Sequence, residues 1–287
     1  MSPETGSGAE GGTPEAPDGP GEWGVHDLPE GESRTLRIGP LVLRSNRQED
    51  EIRIAYARPE QGEAVGDKAS LGTEPSPAEM DDDAWSRWAL PRGIRKIRVA
   101  PVFPDRPLVV APEESFHLLP DARVKIFVRV PLHARIEVQG DRKELLCEIP
   151  TVVLSDTWFG DVMEGELCYF LPSTARRTVR PEHFRNHLAV CPVLLENRSD
   201  EALKVQELVF RVAHLTLFQK GSALWADETR VRYRGTDAGS DLTTTGRPPE
   251  NARDAVLVTE PRTPADRSLR ARTFTRLRDL SGLGGPA

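Results

Sequence analysis

Proline cuts the apolar segments of this chain into pieces too short for anything but strands. Pro101, Pro104, Pro107, Pro112, Pro120, Pro131 and Pro150 fall between or at the ends of runs at 94–99, 108–110, 116–119, 124–130, 134–138, 145–149 and 152–154. A proline has no amide hydrogen and its ring clashes inside a helix, whereas a strand end or sheet edge tolerates it. Short runs rich in Val, Ile and Leu with turn residues between them predict a sandwich or barrel rather than alternating β-α units. With 23 Gly and 25 Pro in 287 residues, a helical bundle is excluded. The expected fold is all-β: an antiparallel β-sandwich, one large or two small.

Residues 1–33 read as a disordered, acidic, Gly/Pro-rich arm, because ten of the first 22 are Gly or Pro and few apolar side chains could repay ordering. The β domain spans 34–262. Alternation begins with Leu36, Ile38, Leu41 and Leu43, a strand bulged at Gly39-Pro40, and continues after a turn at 45–50 with Ile52, Ile54 and Tyr56. An acidic insertion loop follows at 59–84, with eight acids against Lys68, and its DDDAWSRW end offers N-caps for one short helix. Further strand signals lie at 167–171, 188–195 and 205–218, and Asn197-Arg198-Ser199-Asp200 predicts a hairpin joining the last two. Apolar parity within 203–218 switches twice, which requires two bulges or a strand that changes sheets. Residues 263–287 read as a basic C-terminal helix and tail, opened by Thr263-Pro264-Ala265-Asp266, stopped at Gly282 and about 27 Å long.

The net charge of −7 is localised. Residues 1–34 hold eight acids and one base, and the rest of the chain balances. A balanced body behind an acidic arm repels polyanions, so no nucleic acid is expected as a partner. No apolar run is long enough to insert in a membrane, and the amino end lacks the pattern of a signal peptide. Cys147, Cys168 and Cys191 are an odd number without metal-knuckle spacing, which predicts reduced, buried thiols in the cytoplasm. Gly6, Gly8 and Gly11 match a dinucleotide fingerprint only formally, since no strand precedes them, and no Walker A, GxSxG or HExxH motif is present. No cofactor is expected.

Chemistry concentrates in residues 156–187. His183 and His187, four apart, would share one face of a helical turn and could bind a metal together with a carboxylate from Asp156, Asp161, Glu164 or Glu166. Arg176, Arg177, Arg180 and Arg185 form a basic cluster suited to a phosphate or carboxylate. Trp158 is a further binding candidate, and Trp85 and Trp88 could form a stacking face or staple a short helix to the core.

The segment VKIFVRVPLHARIEV, a short strand ending LCEIP, and then SDTWFGDVMEGELCYFLPS resemble the prokaryotic domain of unknown function 432 family. In that family an aromatic-Gly pair, a second Gly and an aliphatic-Cys-Arg-aromatic stretch follow one another. Phe159-Gly160, Gly165 and Leu167-Cys168 stand in that order, while Tyr169 occupies the place of the arginine, so that arginine's role does not carry over. With strand order included, the resemblance runs from Arg34 to Arg262. It implies a β-rich fold and no chemistry, and the family's association with mechanosensitive-channel genes raises a membrane-protein partner as one expectation. The reading of the whole is a non-enzymatic binding or protein-interaction module with a protein partner; the alternative is a metal-dependent hydrolase using His183 and His187.

Overall fold

Strands form where alternation and proline punctuation place them, and they assemble into several mainly antiparallel sheets curled into a half-barrel, with no helix of seven or more residues among the described residues. The computed structural model describes residues 22–58, 85–91, 93–140, 142–160, 162–163, 165–235, 240–264 and 269–271. The arm at 1–21, the insertion at 59–84 and most of the C-terminal segment lie outside them.

A four-stranded antiparallel meander contains β2 (Ser33–Ile38), β3 (Leu41–Arg47), β4 (Glu51–Ala57) and β5 (Ser86–Ala89). Its inward row of Leu36, Ile38, Leu41, Leu43, Ile52 and Ile54 joins the main core. A second antiparallel sheet has the order β1 (Gly24–Asp27), β6 (Lys96–Val102), β10 (His133–Gln139), β11 (Lys143–Pro150). A third runs β12 (Ser155–Phe159), β13 (Glu166–Ala175), β7 (Leu108–Pro112), β16 (Leu208–Phe210), with β13 and β7 parallel. The small pair β8 (Phe116–Leu118) and β15 (Leu203–Val205) flanks it in sequence.

The largest sheet has eight strands centred on β14 (Leu188–Asn197). One edge of β14 pairs antiparallel with β9 (Arg123–Pro131) over nine residues. Its other edge is shared, parallel, by β18 (Ala223–Ala226) and β19 (Thr229–Tyr233). Outward from these lie β17 (Leu217–Lys220) and β21 (Val256–Thr259) on one side, and β20 (Ser240–Thr244) and β22 (Leu269–Ala271) on the other. Pro192, inside this central strand, costs no ladder bond. It stands opposite Phe127, whose amide and carbonyl both bond Arg176, so the Pro192 nitrogen faces away from β9 and into the gap between β18 and β19. Both faces of β14 are covered, which explains its nearly continuous apolar sequence. Ile126, Val128 and Val130 of β9 enter the main core, while Phe127 joins Val190, Phe218 and Trp225 in a second cluster on the opposite face, roofed by Val179 and Phe184.

Several local expectations are corrected. Residues 22–33 are not part of a disordered arm: Trp23 and Leu28 are buried and β1 pairs with β6. Gly39-Pro40 is not a bulge but the turn of a hairpin, with Ile38 opposite Leu41 and Gly39 at φ +57°. The short helix after the aspartates is instead β5, whose Trp88 sits opposite Ile52. No hairpin forms across 197–200. Asn197 donates to Leu118 O at 2.8 Å and to Glu201 O at 2.7 Å, which steers the chain to β8 rather than back along β14. The double parity switch is a change of sheet: β15, β16 and β17 belong to three different sheets. Leu269–Ala271, expected inside a C-terminal helix, pairs with β20, its register placing Arg270 opposite Asp241.

Candidate functional site

The two histidines do not share a helical face. Pro181–His183 is a single 3-10 turn and Phe184 is already extended, so the four-residue spacing carries no helical meaning. His187 is buried against the β2–β3 turn: a Cβ built on Gly39 would lie 2.2 Å from its Nδ1. Burial, and then the charges of Arg185 and Arg129, push its pKa down to about 4. His183 is also buried, but its ring faces Arg176 and Arg180. Of the carboxylates named with them, Glu166 is held by Arg211 and Asp156 by Arg106, while Asp161 and Glu164 lie outside the described residues. Among the described residues no three His, Cys, Asp or Glu side chains are grouped to hold a metal ion.

The four arginines disperse. Arg177 stacks over Phe116 at 4.9 Å, Arg180 lies 3.7 Å from Glu182, and Arg185 donates to the carbonyls of Glu182 and Phe184. Only Arg176 turns inward. Its backbone bridges Phe127 in both directions, extending β13 alongside β9, and this lays the segment after β13 over the outer face of the large sheet. A narrow cleft remains between them, lined by Phe127, Arg129, Thr174, Arg176, Thr178, Val179, His183 and Val190. It holds no more than a water-sized guest. The Arg180 amide N–H, which can only donate, lies 3.1 Å from His183 Nδ1. Arg176 Nη1 lies 2.8 Å from Nε2. The tautomer of His183 decides which of these two contacts is a hydrogen bond. Arg129 was not anticipated, although the alternation of Phe127 and Arg129 against Ile126, Val128 and Val130 marks it as outward-facing.

Trp158 belongs to a second region, the β12–β13 hairpin at the end of its sheet. Trp158 is 53% exposed and its cross-strand partner Leu167 43%, while Val162 and Met163, in the connection, are 88% and 90% exposed. The row continues inward through the pair Asp156–Tyr169. Tyr169 donates its hydroxyl proton to Asp105 at 3.1 Å, and the Arg106 guanidinium lies 5.2 Å over its ring while bonding Asp156 at 3.0 Å. Burial, and then the Asp105 charge, raise the Tyr169 pKa. The opposite face of this hairpin buries Phe159 and Cys168 against Val109 and Val209. Among the described residues β12 has a neighbour on one side only.

Two other groups have environments that define their roles. All three cysteines are free; burial first, and then Glu148 or Glu166, raise Cys147 and Cys168 to about 11, and burial, with the Asp227 charge, raises Cys191 well above the ordinary thiol value. They are thiols at neutral pH, without the thiolate character of a nucleophile. Asp227, fully buried where β18 hands over to β19, accepts from Thr216 N–H at 2.9 Å and Gly246 N–H at 2.8 Å. Burial outweighs these bonds and raises its pKa to about 6.

No curated protein and no solved structure matches this sequence. Residues 22–278 match a family model described as a protein of unknown function, DUF432. That match covers nearly the whole chain, including the Gly160–Gly165 segment and both regions described above, and the chain belongs to the DUF432 family.

Proposed function

We propose that this chain is a binding module that receives a basic, apolar segment of a protein partner on the β12–β13 hairpin. The observation carrying the reading is the exposed row of Trp158, Leu167, Val162 and Met163 on a hairpin whose other face is packed. Large apolar side chains exposed within one short hairpin mark an interaction surface. Charge selects the partner. Residues 155–170 contain four acids and no Lys or Arg; Asp156 and Glu166 are met by Arg106 and Arg211, so the positive charge of an incoming segment answers Asp161 and Glu164, beside its apolar side chains. Among the described residues no strand pairs with the outer side of β12, and an extended segment laid there adds a strand, with alternate side chains against Trp158 and Leu167. Three free thiols suit a reducing compartment, and the reading places the module in the cytoplasm.

A defined probe tests it: an eight-residue peptide alternating arginine and leucine, titrated calorimetrically into the full chain, with the glutamate-leucine counterpart as control. The basic peptide is expected to bind, to weaken with added salt, and to lose about tenfold in affinity with Trp158→Ser, equivalent to about 1.4 kcal/mol. Absence of binding, equal binding of the acidic peptide, or an unchanged affinity in a folded Trp158→Ser protein would contradict the reading.

A further inference from the structure

We infer that Met163, in the connection of the β12–β13 hairpin, is a site of reversible oxidation by peroxide, and that the sulfoxide formed there closes the hairpin to its apolar partner. The inference rests on the proposed function of this hairpin and adds its regulation. Met163 is 90% exposed, in the connection 160–165 that follows Phe159 and precedes Glu166, the last pair of the β12–β13 ladder. Trp158 and Leu167, the next pair along that ladder, are exposed as well, so the sulfur belongs to the surface that the partner covers.

The chemistry needs access and little else. The thioether sulfur attacks one peroxide oxygen, the O–O bond breaks, and the products are a sulfoxide and water, the sulfur oxidised and the peroxide reduced by two electrons. A thioether reacts without ionising, whereas a thiol must first become a thiolate. The cysteines are poorer targets on both counts. Cys168 and Cys191 are buried, Cys147 is half-buried, and burial raises all three above the ordinary thiol value. Methionine is flexible and polarisable and adapts to an apolar partner; its sulfoxide is polar and holds water. The incoming segment answers Asp161 and Glu164 with its charges and meets Met163 with its apolar side chains, which cannot donate to the sulfoxide oxygen. Reversal is equally defined. A methionine sulfoxide reductase removes the oxygen as water while two thiols are oxidised to a disulfide.

The test treats the full chain with hydrogen peroxide in the presence of free methionine as an internal clock, removes the peroxide with catalase and maps the gained oxygen by peptide mass spectrometry. The arginine-leucine peptide, which has no sulfur, is then titrated into treated and untreated chain. Met163 is expected to oxidise at about the rate of free methionine, ahead of Cys147, Cys168 and Cys191. Peptide affinity is expected to fall about tenfold and to return after treatment with methionine sulfoxide reductase. In Met163→Leu, whatever its starting affinity, peroxide is expected to change binding by less than about twofold, which separates this residue from Met1 and Met80. Oxidation of Met163 more than about tenfold slower than free methionine overturns the site, as does oxidation of any cysteine before it. A Met163 sulfoxide that leaves peptide affinity unchanged, or a full response persisting in Met163→Leu, overturns the switch. If the untreated chain binds no peptide, the proposed function fails, and the mass map alone decides whether Met163 is the site.

Discussion

Gly39 and His187 stand 148 residues apart and determine one another's role. The hairpin turn requires φ +57°, which glycine adopts at no steric cost, and the imidazole occupies the space a Cβ would fill. Gly39→Ala is expected to destabilise by about 2–3 kcal/mol, combining a left-handed backbone penalty of about 1 kcal/mol with overpacking. His187→Ala should restore part of that loss in the double variant, and urea unfolding of the four proteins measures the coupling. The same histidine has a pH signature. Its folded-state pKa of about 4 lies below the ordinary 6.5, so its contribution is complete above about 6.5 and lost as the pH falls through 4. His187→Phe keeps a ring against Gly39 and should reduce the difference in stability between pH 6.5 and pH 4 by up to about 3 kcal/mol. An unchanged difference would contradict this assignment. Asp227 acts in the opposite sense. With a pKa of about 6 against an ordinary 3.8, its contribution is complete below 3.8 and lost as the pH rises through 6. The histidine spacing was visible in sequence but its meaning was not, because it presupposes a helix that the turn at Pro181–His183 ends after three residues.

At the scale of elements, strand positions were legible because alternation and proline are local signals, whereas strand partners were not. The sequence around Asn197 has the composition of a hairpin turn, yet the Asn197 amide bonds Leu118 and Glu201 and sends the chain to another sheet. Leu269–Ala271 lies in a stretch with helical spacing and pairs with β20, because the edge of a large sheet overrides local propensity. Trp23 shows the same effect at the other end. An isolated tryptophan in an acidic Gly/Pro stretch offers no periodicity, but its ring is buried and its Nε1 donates to Asn186 O at 2.6 Å, tying the start of β1 to the segment before β14, while the strand itself pairs with β6. Trp23→Ala should cost about 3–5 kcal/mol, measured by urea unfolding, and should speed amide exchange along β6. A loss below 1 kcal/mol would mean that β1 is held by its ladder alone.

Across the whole molecule, the meander, the body sheets and the inward face of β14 contribute to one continuous core, and a smaller cluster lies on the outer face of the large sheet. The all-β character and the core residues were readable from pattern. The candidate binding regions were readable only as residue types. Trp158 stood out as a residue, but its exposure depends on which face of the β12–β13 hairpin packs against Val109 and Val209. Arg176 stood out as one of four arginines, and only the bridge to Phe127 distinguishes it from the others. The hairpin is the surface that the proposed function requires. Hydrogen-exchange mass spectrometry of the full chain, with and without the arginine-leucine peptide at saturation, tests that claim most directly. Slowed exchange confined to residues 155–170 is the predicted result; protection elsewhere, or none in that segment while the peptide is bound, would contradict it.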